Sequence, residues 1–267
     1  TAYEITYGDW SSDVCSSDLT WKYFQIVENG TAIRVHKIRK DRSNRLWFLG
    51  LSREDPISQT SQPGAYVYEN NKFIHWGTNN GLLNNRIYAF AEGKKGELWF
   101  GTYGGLSKWF QGHWTHWTKK EGLKENKIFC VAVDSLNTLW FGDRENGLAY
   151  VAKDESIHYL TTLDGLVNNN VWDLSVDATG TLYITTFGGL SAYSMAKFTN
   201  YDYMDGLINS RLWPILPEKQ KVYIGTMGSG IAILNLDEQP KPPPQINIEK
   251  AATEASSAYL RWKTLAY

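Results

Sequence analysis

The sequence predicts an all-β protein, a β-propeller of about five four-stranded blades, and three observations carry that expectation. The first is a segment the chain rewrites at a fixed interval. Gly96-Glu97-Leu98-Trp99-Phe100-Gly101-Thr102-Tyr103-Gly104-Gly105-Leu106 returns as Leu139-Trp140-Phe141-Gly142, as Leu182-Tyr183-Ile184-Thr185 and as Val222-Tyr223-Ile224-Gly225. Leu46-Trp47-Phe48-Leu49-Gly50 is an earlier, less regular copy. Trp99, Trp140, Tyr183 and Tyr223 lie 41, 43 and 40 residues apart. The second observation is a marker that keeps step: Gly81-Leu82, Gly122-Leu123, Gly165-Leu166 and Gly206-Leu207. Two markers sharing a period of about 40 residues define a repeat architecture. The third is composition. Aromatics make up 14 % of the chain and there are 23 Gly, which suits short strands divided by tight turns. A helix would lose about 1 kcal/mol at each glycine placed inside it.

The elements follow from aligning the chain on these markers. Residues 12–19, Ser-Asp-Val-Cys-Ser-Ser-Asp-Leu, read as one translated frame of a common sequencing-library adapter, so residues 1–19 are set aside as a non-native segment. Residues 1–10 also lack the basic and apolar regions of a signal peptide. Five units come next, at about 31–78, 79–118, 119–161, 162–202 and 203–236. The second resolves into strands at 86–91, 97–102, 105–110 and 113–118, separated by glycine-bearing turns. Four antiparallel strands per unit is the pattern of a propeller blade. Within strand 97–102, Leu98 and Phe100 share one face and Trp99 and Gly101 the other, so the large side chains are expected between neighbouring blades.

The ends are irregular. The fifth unit has three strands, the last at 230–235. A lone outer strand at 20–26 precedes the first unit, and it either completes the fifth blade, closing a five-bladed ring, or marks the edge of a larger one. Pro240-Lys241-Pro242-Pro243-Pro244 cannot continue a ladder, so 237–245 is expected to be a stiff linker. Residues 246–267 read as a short C-terminal β fragment.

Charge and motifs narrow the function. Lys plus Arg number 27 and Asp plus Glu 28, a balance that favours neither nucleic acid nor an anionic membrane. No apolar run approaches the roughly 20 residues of a membrane span. The chain carries no Gly-x-Ser-x-Gly, no His-Glu-x-x-His and no phosphate loop, so no catalytic residue, metal site or cofactor is assigned. Cys130 reads as a small buried hydrophobe. His75, His113, His116 and His158 fall on outer strands, and Asp143 with Glu145 is a weak carboxylate pair in a loop.

In an up-and-down blade, the loop entering the inner strand and the loop between strands two and three share a face. The residue entering each inner strand is Arg34, Arg86, Lys127, Asn170 or Arg211, and two places on stands His36, Tyr88, Phe129, Trp172 or Trp213. Four of the first five are basic and all of the second five are cyclic. The candidate ligand site is therefore Arg34, Arg86, Lys127, Arg211, Tyr88, Trp172 and Trp213, with Tyr103 and Arg144 from the second set of loops. Guanidinium groups bind carboxylate or sulfate bidentately, and aromatic faces stack on sugar rings. A plainer reading has the cations capping loop carbonyls and the aromatics filling gaps. The long polar insertion at 52–64 falls on the same face.

Asn80-Gly81-Leu82-Leu83-Asn84-Asn85-Arg86-Ile87 followed by Leu98 through Leu106 resembles the two-component regulator propeller repeats. Pro242-Pro243-Pro244-Gln245-Ile246-Asn247-Ile248 and Ala258-Tyr259-Leu260-Arg261-Trp262 are similar to the step into the three-tyrosine immunoglobulin-like domain that follows them. The resemblance implies the periplasmic sensor region of a hybrid histidine kinase, binding an oligosaccharide without catalysis and forming a homodimer in the intact protein. The basic ring makes an acidic sugar the first expectation. The rivals are a propeller lyase or hydrolase, and a protein-interaction scaffold with no small ligand.

Overall fold

The computed structural model describes residues 26–28, 31–50, 63–70 and 72–237. The expected non-native segment, the proline linker, the C-terminal fragment, nearly all of the outer strand at 20–26 and most of the insertion at 52–64 lie outside them. The described strands form five radially arranged blades, each an antiparallel meander with its first strand innermost. Blade 1 comprises Val35–Lys40, Leu46–Gly50, Gly64–Glu69 and Lys72–Trp76. Blade 2 comprises Ile87–Glu92, Leu98–Thr102, Leu106–Phe110 and His113–Trp117. Blade 3 runs through Cys130–Val133, Leu139–Gly142, Leu148–Val151 and Ile157–Leu160, and blade 4 through Val171–Val176, Leu182–Thr186, Leu190–Ser194 and Lys197–Tyr201. Blade 5 has Leu212–Glu218, Lys221–Thr226 and Ile231–Asn235. Thr31–Ala32, expected in the first unit, instead pairs with Val27–Glu28 in a small hairpin ahead of blade 1. No helix among the described residues is long and apolar enough to cross a membrane.

The period-two alternation of the second strands builds the core. Phe100 and Leu98 face blade 1, burying against Trp47, Leu49 and Val67. Trp99 faces the other way, against Val131, Leu139 and Phe141 of blade 3. The same division repeats with Trp140 against Leu182 and Ile184, and with Tyr183 against Val222 and Ile224. Each such side chain taken from water contributes about 1.5–3 kcal/mol, so every blade depends on a neighbour for its stability.

The Gly-Leu marker has a physical cause. A single 3-10 turn links each outer strand to the next blade: Thr78–Asn80, Lys119–Glu121, Thr162–Asp164 and Tyr203–Asp205. Each ends on a left-handed residue, Gly81, Gly122, Gly165 or Gly206, with φ between 94° and 105°, a conformation glycine adopts without strain. The leucine that follows is then buried, as at Leu82, Leu123 and Leu166.

Candidate functional site

Three local devices aim side chains at one face of the ring. The first is an Asx turn. The Asn84, Asn168 and Asn209 carboxamides accept from the backbone N–H two residues on, at Arg86, Asn170 and Arg211, each at 2.8 Å. The second is backbone pairing between the two sets of loops. Tyr103 N donates to Arg86 O, Phe187 N to Asn170 O and Met227 N to Arg211 O, so the loops share a face as their sequence positions implied. The third is a bulge. The inner-strand register slips at His36, Tyr88 and Trp172, so that none of the three has a residue opposite it in the register of the second strand. A bulge re-aims the side chain it releases. In blade 5 the slip falls on Pro214, beside Trp213, and a bulge is one of the few interior strand sites that tolerate proline.

Eight of the nine candidate residues meet in one unbroken ladder of rings and cations. Lys127 Nζ lies 5.1 Å from the Tyr103 ring, and Arg86 Cζ lies 5.4 Å from both Tyr103 and Tyr88. Tyr88 meets Phe129 at 4.5 Å between centroids. Arg144 Cζ is 3.7 Å from Phe129 and 3.7 Å from Trp172. Trp172 stacks on Phe187 at 4.6 Å and meets Trp213 at 5.4 Å. Arg211 closes the series 5.6 Å from Phe187. Arg34 is exposed and joins none of the described ring contacts. Two members of the ladder are absent from the expected site. Phe129 was legible as the cyclic residue of blade 3, and Phe187 occupies the position after strand two that Tyr103 holds in blade 2.

The ladder is positively charged. No ion pair among the described residues engages Arg86, Lys127, Arg144 or Arg211. Burial holds the Arg144 guanidinium below the usual arginine range. Burial pushes the Tyr88 phenol up, with Arg86 and Arg144 pulling the other way. Arg86 Nε, Arg144 Nε, Asn170 Oδ1 and Trp172 Nε1 are the described buried side-chain polar atoms without a hydrogen-bond partner. All four belong to this face, and an unpaired buried polar group costs about 1–3 kcal/mol. Asp143 is buried, but its carboxylate is engaged within its own loop, accepting from Asn146 N and Nδ2 at 2.9 Å. No group of three or more His, Cys, Asp or Glu able to hold a metal occurs among the described residues.

Beneath the ladder, Lys37 of blade 1 reaches Asp173 of blade 4 at 3.2 Å. The Asp173 carboxylate also accepts from Ile215 N of blade 5 at 3.4 Å.

A profile of the two component regulator propeller family matches residues 81–104, the turn, inner strand and second strand of blade 2. No curated protein matches the chain in sequence. Among solved structures, one similar fold is the extracellular domain of a protein described as the hybrid two component system BT3049 of B. thetaiotaomicron. It is 21 % identical with a TM-score of 0.68, over 83 % of this chain and 30 % of that one. The extracellular domain of BT4673 from the same organism is 16 % identical with a TM-score of 0.62, over 82 % and 33 %. A virginiamycin B lyase from Staphylococcus aureus is 10 % identical with a TM-score of 0.57, over 81 % and 75 %. The chain thus spans about a third of the length of the two extracellular domains, and at these identities the likeness speaks for the fold. The protein is a β-propeller whose second blade, over residues 81–104, matches the two component regulator propeller repeat.

Proposed function

We propose that this propeller is the ligand-binding part of an extracytoplasmic sensor in a two-component signalling protein, and that its ladder face takes an acidic oligosaccharide. The repeat and the extracellular hybrid two component domains of like fold support the sensor role. One observation carries the ligand class: four cations stacked on aromatic rings, with no carboxylate paired to any of them among the described residues. Cation–aromatic contacts are worth about 0.5–2 kcal/mol each, which orders the cations without neutralising them. A carboxylated or sulfated sugar supplies the missing charge through bidentate bonds and offers ring faces to the aromatics. In a homodimeric intact protein, binding signals only if the ligand favours one arrangement of the assembly over another.

Calorimetric titration with galacturonic-acid oligosaccharides and sulfated disaccharides tests the reading. Binding is expected, with Arg86→Ala/Arg211→Ala weakening it at least tenfold, about 1.4 kcal/mol. Unchanged affinity in that double variant removes the ladder as the site. An absence of binding across the acidic panel removes the ligand class.

A further inference from the structure

Arg144 combines three features at one residue. Its backbone is left-handed, with φ 80°, a region that costs a non-glycine residue about 1–2 kcal/mol. Its Nε is buried with no partner. Its guanidinium lies 3.7 Å from each of two aromatic rings and pairs with no anion among the described residues. The loop around it is fixed: Asp143 accepts from Glu145 N, Asn146 N and Asn146 Nδ2, which holds the turn without touching the guanidinium.

The walls on either side are braced from behind. Phe129 rests against Tyr88, and Trp172 against Phe187 and Trp213. Phe129 and Trp172 form no ring pair with each other among the described ring contacts, so the guanidinium fills the space between them. A guanidinium is a flat group about as thick as one conjugated ring. The gap therefore matches the thickness of one flat-faced ring in place of the arginine. Trp172, one wall of the gap, carries a buried Nε1 donor with no hydrogen-bond partner, a group that can bond an acceptor on such a ring.

We propose that the Phe129–Trp172 gap is a ring-binding subsite, occupied by Arg144 in the free protein. A flat ring bearing a carboxylate displaces the guanidinium, which swings outward and pairs with that carboxylate. This deepens the reading of the ladder face as an anion site and rests on it. Arg144 is then both plug and reader. A neutral ring of the same shape meets the plug but cannot recruit it, so the arginine enforces selection for the acid. Leaving the gap also frees Nε to bond the carboxylate, relieving the unpaired donor.

The smallest probe of this chemistry is benzoate, with benzamidine as the flat cation and benzyl alcohol as the neutral ring. In the free protein, the Arg144 Nε–H resonance should lie upfield, shielded by two ring faces. Benzoate should move it downfield, with a perturbation at the Trp172 indole N–H. Arg144→Gly suits the left-handed backbone and leaves the gap open. It should bind benzamidine at least tenfold more tightly than the parent and benzoate at least tenfold more weakly. Arg144→Lys, which keeps the charge without the flat fork, should retain the preference for benzoate over benzyl alcohol. Trp172→Ala should weaken benzoate binding to the parent and benzamidine binding to Arg144→Gly. An Arg144 signal that is not shielded, or benzoate affinity unchanged in Arg144→Gly, overturns the proposal. Trigalacturonate separates the two readings. If it binds Arg144→Gly as tightly as the parent, the anion site stands and the subsite falls. If benzoate displaces Arg144 while no acidic sugar binds, the subsite stands and the sugar reading falls.

Discussion

Trp47, Trp140 and Tyr183 each give their polar atom to an aspartate six residues earlier in the chain. Trp47 Nε1 donates to Asp41 at 2.9 Å, Trp140 Nε1 to Asp134 at 2.8 Å and Tyr183 Oη to Asp177 at 3.3 Å. The same carboxylates also hold the turn: Asp134 accepts from Leu136 N and Thr138 N. The aspartate therefore lets a large amphipathic side chain sink between blades without stranding a donor. Asp134→Ala should lower stability by about 1–3 kcal/mol, because a buried indole N–H loses its partner; urea midpoints of parent and variant measure it. The left-handed glycines separate by what surrounds them. At Gly189, φ is 134° and a Cβ would run into the Tyr201 carbonyl, whereas at Gly122 nothing stands within 4 Å. Gly122→Ala should cost about 1 kcal/mol from backbone strain alone, and Gly189→Ala distinctly more in the same urea assay. Tyr159 gives a pH signature. Burial pushes its phenol up to about 12, against about 10 in the unfolded chain. A raised phenol contributes its full stability below pH 10 and loses it as pH climbs towards 12. Urea midpoints should fall across that window, less steeply in Tyr159→Phe.

At the scale of the strand, the edges decide behaviour. Blade 5 ends on Ile231–Asn235 within the described residues, and no fourth strand covers that edge among them. In blades 2 to 4, Trp114, Tyr159 and Phe198 of the outer strand pack near the Gly-Leu turn. In blade 5 the equivalent position is a cavity of about 220 Å³ lined by Leu190, Tyr201, Leu207, Ile224 and Leu234. The forward flank of the blade is also open, with Leu216, Ile231 and Ile233 each more than half exposed. An apolar edge strand that no described strand covers invites pairing with another chain. The protein should associate as concentration rises, and Ile231→Lys/Ile233→Lys should reduce that association in light scattering. The existence of each strand was legible from alternation and glycine spacing. The bulges at His36, Tyr88 and Trp172 were not, because a one-residue slip leaves no composition signal. It shows only when both strands are paired.

Across the whole molecule, the Lys37–Asp173 pair links blades that are not neighbours in the chain. Asp173 is buried, and Lys37 is the cation that bonds it. Removing one partner of a buried pair strands the other charge, at a cost of about 3–5 kcal/mol. Lys37→Met should therefore destabilise by that order, and Lys37→Met/Asp173→Leu should recover much of it, as a double-mutant cycle on urea midpoints would show. The ladder face belongs to the same scale. Alignment placed Arg86, Lys127 and Arg211 around one mouth, and Tyr88, Trp172 and Trp213 beside them, since every repeat aims the same position the same way. Arg34 fits that alignment equally well, yet it stands exposed and apart from the described ring contacts. Repetition gives the direction of a side chain but not what stands opposite it.

The period of about 40 residues, the alternation of the second strands and the glycine turns determined a propeller before any coordinate was known, because each is a local demand that recurs. What only the tertiary structure decided was contact across blades: Arg144 between Phe129 and Trp172, Phe187 at the end of the ladder, and Lys37 reaching Asp173. These groups lie far apart in the chain. Their meeting depends on how many degrees each blade turns from the last, which is set by the summed packing of the interfaces and written in no single repeat.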